Sequence, residues 1–98
     1  MDVFKAISDP TRRAIIDLVA KEPININAIA DNFDMSRPAV SKHIKVLSDT
    51  GLVGAHQQGR DRFLYLQLNA LKEVQLWLKK YEYFWNDRLD NLDDFLKN

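Results

Sequence analysis

The chain holds only two imidazoles, His43 and His56, and no cysteine among its 98 residues. Disulfides, thiolate metal sites and thiol redox switching are therefore excluded. Neither histidine stands in an arrangement with serine or cysteine that would make a nucleophile or a zinc centre. The three glycines give no GxGxxG or phosphate-loop spacing, so nucleotide chemistry has no support and an enzyme is not expected. What remains is a set of hydrogen-bond donors. In Ser36 to Leu52, SRPAVSKHIKVLSDTGL, one side of a 3.6-residue helix carries Arg37, Ser41, Lys42, Lys45 and Ser48, with no carboxylate in that stretch until Asp49. Such a face seeks an anion. The other side carries Val40, Ile44 and Leu47 at i, i+4 and i+7 and seeks a core. Ser36 is a fitting N-cap, Pro38 is tolerated only in a first turn, and Gly51 is a C-terminal stop.

Net charge is zero, but the charge is unevenly spread. Ser36 to Arg62 holds Arg37, Lys42, Lys45, Arg60 and Arg62 against Asp49 and Asp61. Tyr81 to Asn98 reverses this, with five acids against Arg88 and Lys97. One region attracts polyanions and the other repels them. A composition that is 46% apolar is enough for one small core, and no internal repeat or linker divides the chain. No apolar run approaches the roughly 20 residues that cross a bilayer. The start MDVFKAISD carries an acid where a signal peptide is basic and then apolar, so a cytoplasmic protein with no membrane partner is expected.

The elements that must position the basic face follow from local signals. Val3, Phe4 and Ile7 share one side of a first helix that is too short to persist without docking. Asp9-Pro10 starts a second helix that carries Ala14, Ile15, Leu18 and Val19 inward and ends at Lys21-Glu22-Pro23. Arg12 and Arg13 lie in its first turn, where the helix dipole disfavours cations. They read as surface ion-pairing residues, with phosphate contact as the alternative. Asn25 caps a third helix with Ile26, Ile29, Ala30 and Phe33 on its core side, and a tight connection then leads into the basic helix. Helix, short turn, basic helix is a helix-turn-helix, spanning approximately residues 25–51. After Gly51 the period changes to 2. Leu64, Leu66 and Leu68 alternate with Phe63, Tyr65 and Gln67 in a strand whose antiparallel mate is Val53 to Gln57, with a basic turn, Gln58 to Asp61, between them. This hairpin, residues 53–68, is a candidate wing. The predicted fold is therefore mainly α with a small β-hairpin, a winged helix-turn-helix.

Asn69 is the expected cap of a long last helix over residues 70–97. Its apolar residues Leu71, Val74, Leu78, Tyr81 and Trp85 are spaced 3, 4, 3, 4 and continue through Leu89, Leu92 and Leu96. Trp77 and Phe84 add a second stripe, so the apolar surface is wider than one packing seam requires. One stripe can face the domain and the other a second subunit.

VFKAISDPTRRAIIDLV at 3–19, INAIADNFDMSRPAVSKHIKVLSDTGLV at 26–53 and QGRDRFLYLQL at 58–68, in this order and spacing, resemble the arsenic-repressor (ArsR) family of winged-helix transcription regulators. The resemblance spans essentially the whole chain. It implies a homodimer formed by the first and last helices, acting as a repressor on double-stranded operator DNA. On that reading Val3, Phe4 and Ile7, together with Trp77, Leu78, Tyr81, Phe84 and Trp85, form the dimer interface. Many members of the family release DNA on binding a metal through cysteines near the third helix or through histidines and carboxylates on the last. Here the third helix reads NAIADNF and the last has no histidine. No metal site or cofactor is expected, and Asp87, Asp90 and Asp94 read as a solvated face rather than a hard-cation site. The inducing signal stays open between a small apolar molecule at the aromatic seam and a change in protein concentration.

For DNA readout, the N-terminal turns of the basic helix enter the major groove first. Arg37 can take a guanine edge, Ser41 and Lys42 lie one turn on, and Pro38 and Ala39 offer apolar contact to a thymine methyl, with Ser36 at the helix start. Lys45, Arg60 and Arg62 read as phosphate contacts. His43 lies at the edge of this helix with a packing or a phosphate role, and His56 is a strand-surface residue. The competing reading is a winged-helix interaction module whose basic face binds an acidic protein segment.

Overall fold

The computed structural model describes residues 1–86. The helix termini are built by the caps that local sequence dictates. Helix α1 (Val3–Ala6) is capped by Asp2, whose carboxylate accepts from Lys5 N at 2.8 Å. Helix α2 (Pro10–Lys21) is capped by Asp9, which accepts from the backbone N–H groups of Thr11 and Arg12 at 2.8 and 3.1 Å. A two-residue strand, β1 (Ile24–Asn25), leads into α3 (Ile26–Ala30), capped by the Asn25 side chain. Helix α4 (Arg37–Asp49) starts at Ser36, whose hydroxyl accepts from Ala39 N at 3.3 Å.

Gly51 closes α4 with φ +77°, the left-handed conformation that glycine adopts without steric cost. Leu52 N donates to Leu47 O at 3.0 Å and Gly51 N to Ser48 O at 3.1 Å, which is the bond pair of a Schellman motif. Leu47 and Leu52, the apolar residues flanking that motif, are both fully buried.

Strands β2 (Val53–Gln58) and β3 (Asp61–Leu66) pair antiparallel from Val53 opposite Leu66 to Gln58 opposite Asp61. Only Gly59 and Arg60 remain as loop, with Gly59 at φ +64° and no positive φ at Arg60, the order of a type II′ turn. The four-residue turn expected from sequence is thus shorter, and the strand expected at 63–68 lies at 61–66. The pairing continues in register for one more bond, Gln67 N donating to Leu52 O at 2.9 Å, and the chain then turns into a helix at Leu68. Leu68, expected to face inward, is 67% exposed as the first residue of α5 (Leu68–Lys79). The cap expected at Asn69 is also displaced, since the N-cap position falls on Gln67, which makes no side-chain capping bond.

Strand β1 adds a third member to the sheet, in the order β1-β3-β2, with Ile24 opposite Leu64. Helices α2, α3 and α4 and the sheet enclose one core containing Ile15, Val19, Ile29, Val40, Leu47, Leu52, Val53 and Leu64. Val40, Ile44 and Leu47 are buried, as their spacing requires.

Helix α1 docks on α5 of its own chain, where Phe4 meets Trp77 edge-to-face at 5.6 Å. Val3, expected at the dimer interface, is 7% exposed and packs on the chain's own core. Of the helix expected over 70–97, residues 87–97 lie outside the described residues, and among the described ones α5 ends at Lys79. Lys80 N donates to Trp77 O and Tyr81 N to Leu78 O, both i→i−3 bonds, before Trp85 N returns to Tyr81 O. This turn tightens the helix locally into 3₁₀ geometry. Aromatic contacts bridge it, with Trp77–Tyr81 at 5.4 Å and Tyr81–Phe84 at 6.4 Å. Leu89, Leu92 and Leu96, and with them Asp87, Asp90 and Asp94, lie outside the described residues.

Candidate nucleic-acid interface

Helix α4 lies with its apolar stripe on the core and its other side open. Ser36, Arg37, Pro38, Ser41, Lys42 and Lys45 are exposed, while Ala39 is half-buried. The wing carries Arg60 in its turn and Arg62 near its tip, both exposed, and Gln57 Nε2 donates to Gly59 O at 3.2 Å across the turn. Two points of cationic contact, one helical and one on a hairpin, therefore stand on the surface.

The helix face is less purely cationic than its sequence implies. Arg37 Nη1 donates to Asn27 Oδ1, and Arg37 Nη2 to Asp31 Oδ1, each at 3.3 Å. The carboxylate missing from the start of α4 is thus supplied by α3. Lys45 pairs with Asp49 at 3.1 Å, one turn further along its own helix. Both ion pairs are well exposed, so each is worth about 0–1 kcal/mol and yields readily to a competing anion.

Among the described residues Arg12 and Arg13 form no ion pair, and their donors go to backbone and imidazole partners. Arg12 Nε donates to Ala6 O at 2.6 Å, its Nη2 to Lys5 O at 3.2 Å, and its Nη1 lies 3.2 Å from His43 Nδ1. Arg13 Nη1 donates to Ile7 O at 2.7 Å. These bonds satisfy carbonyls at the end of α1, where a cation is favoured by the exposed C=O groups. The dipole conflict in the first turn of α2 was the available signal, because a cation placed against one helix start is at home against another helix end. His43, half-buried, takes the packing role by joining α4 to this clamp. Asp9 sits beside it. Partial burial raises its carboxyl pKa, but the N–H bonds from Arg12 and Thr11, with His43 and Arg12 nearby, outweigh burial and hold it below the ordinary carboxylate range.

His56 is exposed on the wing, stacked on Phe63 at 6.0 Å and tilted to Tyr65 at 6.5 Å. The Tyr65 ring lies across Gly54, so closely that a Cβ there would collide with it. Among the described residues no cluster of three His, Cys, Asp or Glu side chains is placed to hold a metal, and no helix is long and apolar enough to cross a membrane.

A second surface stands on α5 and the residues after it. Trp77 is 45% exposed, Phe84 55% and Trp85 56%, and with Leu78 and Tyr81 they line a concavity of about 490 Å³. Phe4, half-buried, meets this surface through Trp77, and Ile7, half-buried, packs against the core.

Three helices ending in an exposed basic one, with a basic-tipped hairpin beside it, define a winged helix-turn-helix protein. Residues 7–53 match the family model described as a helix-turn-helix domain. The transcriptional repressor SdpR of Bacillus subtilis is 41% identical over 82% of this chain and 89% of its own length. The HTH-type transcriptional regulator Rv2034 of Mycobacterium tuberculosis is 35% identical over 88% and 78%. The crystal structure of an ArsR family transcriptional regulator superposes with a TM-score of 0.75 at 35% identity, covering 85% of this chain and 86% of that one. The chain belongs to the ArsR family of winged helix-turn-helix transcriptional regulators, a family of DNA-binding proteins and not of enzymes.

Proposed function

We propose that this protein is a cytoplasmic, sequence-specific repressor that binds a palindromic operator in double-stranded DNA as a homodimer. The observation that carries the reading is α4 itself, which buries Val40, Ile44 and Leu47 and leaves Arg37, Ser41, Lys42 and Lys45 outside. Ser36, Arg37, Pro38, Ala39 and Ser41 occupy the helix start and address bases. Lys42 lies one turn on, and Lys45, Arg60 and Arg62 address phosphates. Repression is the activity named for the Bacillus subtilis relative and is carried over as part of the proposal.

The dimer reading rests on the exposed aromatic residues Trp77, Tyr81, Phe84 and Trp85, with Leu78, Phe4 and Ile7 adding to the seam. An apolar face of this kind marks an association surface. Two α4 helices about 34 Å apart would then meet successive major grooves. A small apolar inducer in the same aromatic concavity is compatible with its lining and is part of the proposal only as a class of ligand.

The test is selection of a preferred duplex from a randomised library, followed by fluorescence anisotropy with that duplex and a scrambled one across a salt series. Arg37→Ala is expected to cost about 1–3 kcal/mol on the selected duplex and much less on the scrambled one, because a bidentate base contact discriminates. Arg60→Ala is expected to weaken both alike and to make the salt slope shallower by about one unit per monomer. Equal losses with equal slopes would refute the division into base reader and phosphate contact. Failure to select any preferred sequence would refute the function.

A further inference from the structure

Arg37 is the residue on which base reading rests, and the structure shows it already engaged from behind. Its two donors are taken by Asn27 and Asp31, one helical turn apart on α3. We propose that Asn27 and Asp31 are specificity-determining positioning residues, which hold the Arg37 guanidinium as a forked donor while offsetting part of the charge that would otherwise draw it to any phosphate. The inference rests on the DNA-reading function proposed above and deepens it.

Two properties of arginine act separately here. A guanidinium presents five N–H donors in a rigid plane and carries a full charge on a side chain with high rotamer freedom. The two bonds to α3 occupy two donors and restrict the fork, and a guanine O6/N7 edge needs only two more. Charge behaves differently. Non-specific affinity is carried by cations that replace counterions along the phosphates, and it depends on net charge at the interface rather than on the direction of a fork. With the Asp31 carboxylate 3.3 Å from Nη2, a phosphate has to compete with it for Arg37, a modest discount in so exposed a pair, whereas a base edge can meet the donors that stay free. Asn27 contributes direction without charge. The two acceptors therefore do different work on the same side chain, and the difference can be measured.

The exposure of the pair is part of the device. Arg37 and Asp31 side chains are 62% and 72% exposed, so the contact is weak enough for the fork to adjust when the duplex arrives. A buried pair would have locked it in place.

The experiment uses the full-length chain and anisotropy with the library-selected duplex and its scrambled counterpart. Asp31→Asn keeps the side-chain oxygen and removes the charge. It is expected to tighten binding to the scrambled duplex about two- to five-fold per monomer, the size of one exposed charge interaction, and to change the selected complex less, so that the specificity ratio falls. Asn27→Ala is expected to weaken the selected complex and leave the scrambled one unchanged. In the Arg37→Ala background, Asp31→Asn is expected to leave the ratio where it stands, because there is no fork left to steer. An unchanged ratio in Asp31→Asn would overturn the proposal. So would an equal fall in the ratio with and without Arg37, which would make Asp31 a plain repulsive charge. A wild-type chain that shows no preference among duplexes would overturn the DNA-reading function first, and this proposal with it.

Discussion

Arg12 makes three side-chain contacts that tie α1 to α4, and its removal can be worked through from the geometry. It donates to Ala6 O at 2.6 Å and Lys5 O at 3.2 Å and meets His43 Nδ1 at 3.2 Å. Hydrogen bonds that involve a charged group are worth about 1.5–3 kcal/mol each when sheltered, and less when exposed. Two of the three are part-buried and one is exposed, and the bonds share one side chain, so they do not add in full. Arg12→Ala is therefore expected to cost about 2–3 kcal/mol, by the same per-bond values. For a chain of this size total stability is about 5–15 kcal/mol, so the loss is a large fraction of the whole.

Arg13→Ala removes a single exposed bond to Ile7 O and is expected to cost about 0.5–1 kcal/mol. Arg12→Lys keeps the charge without the fork and should fall between them. Urea unfolding followed by far-UV circular dichroism, at one fixed protein concentration because association shifts the midpoint, measures all three. The clamp also predicts where the change occurs. Hydrogen exchange in α1 should speed up more than in α3, because Lys5 and Ala6 carbonyls are the groups released. An Arg12→Ala midpoint within error of that of Arg13→Ala, or loosening spread evenly over the chain, would refute the clamp.

The other expectations are read from single features. Tyr81→Glu places a charge in the aromatic concavity and should shift the protein from dimer to monomer in sedimentation velocity at micromolar concentration, with helicity retained; a wild-type chain that sediments as a monomer would remove the dimer. Zinc, cadmium or arsenite at near-stoichiometric levels should leave the DNA complex intact, since soft ions need thiolate or imidazole clusters, and release of DNA in a titration would contradict this. Asp9 binds its proton less readily folded than unfolded, so its contribution to stability is present above the unfolded carboxylate pKa of about 3.9 and is lost as pH falls through its lower folded value. Asp9→Asn should accordingly flatten the acid limb of a stability profile measured between about pH 5 and pH 2.

The features legible in the sequence are those whose physics is local. Asp9-Pro10, Asn25, Ser36 and Gly51 mark helix ends because a cap bonds within about three residues of itself. Val40, Ile44 and Leu47 declare a buried stripe through spacing alone. Strand β1 escaped because two residues are too few to show a period, and its partner Leu64 is forty positions away. The end of β3 is not marked by the period, because the alternation runs on through Leu68, which is the first residue of α5. The site divides similarly. The exposed donors of α4 could be read from composition and period, whereas the acceptors Asn27 and Asp31 could not, because their relation to Arg37 depends on the angle between two helices.

The same distinction between local and distant causes explains the first helix. A four-residue helix cannot hold itself together, since nucleation fixes several residues for one hydrogen bond. Beyond the burial of Val3 and Ala6 in the core, three things hold α1: the Asp2 cap at its start, Phe4 against Trp77 along its side, and Arg12 with Arg13 on its last carbonyls. Two of these lead elsewhere in the molecule. Phe4 joins α1 to the helix that bears the exposed aromatic face, and Arg12 joins it, through His43, to α4. In the proposed dimer the separation of the two α4 helices must match the spacing of major grooves, which requires a stiff connection from the subunit seam to the DNA face. Small changes at the seam would move the half-site spacing if that connection were soft. If the dimer forms as proposed, the SDPTRR segment is placed to supply that connection, with the Asp9 N-cap and the Arg12 fork joining α1 to α4, and the cation against the start of α2 is its local cost.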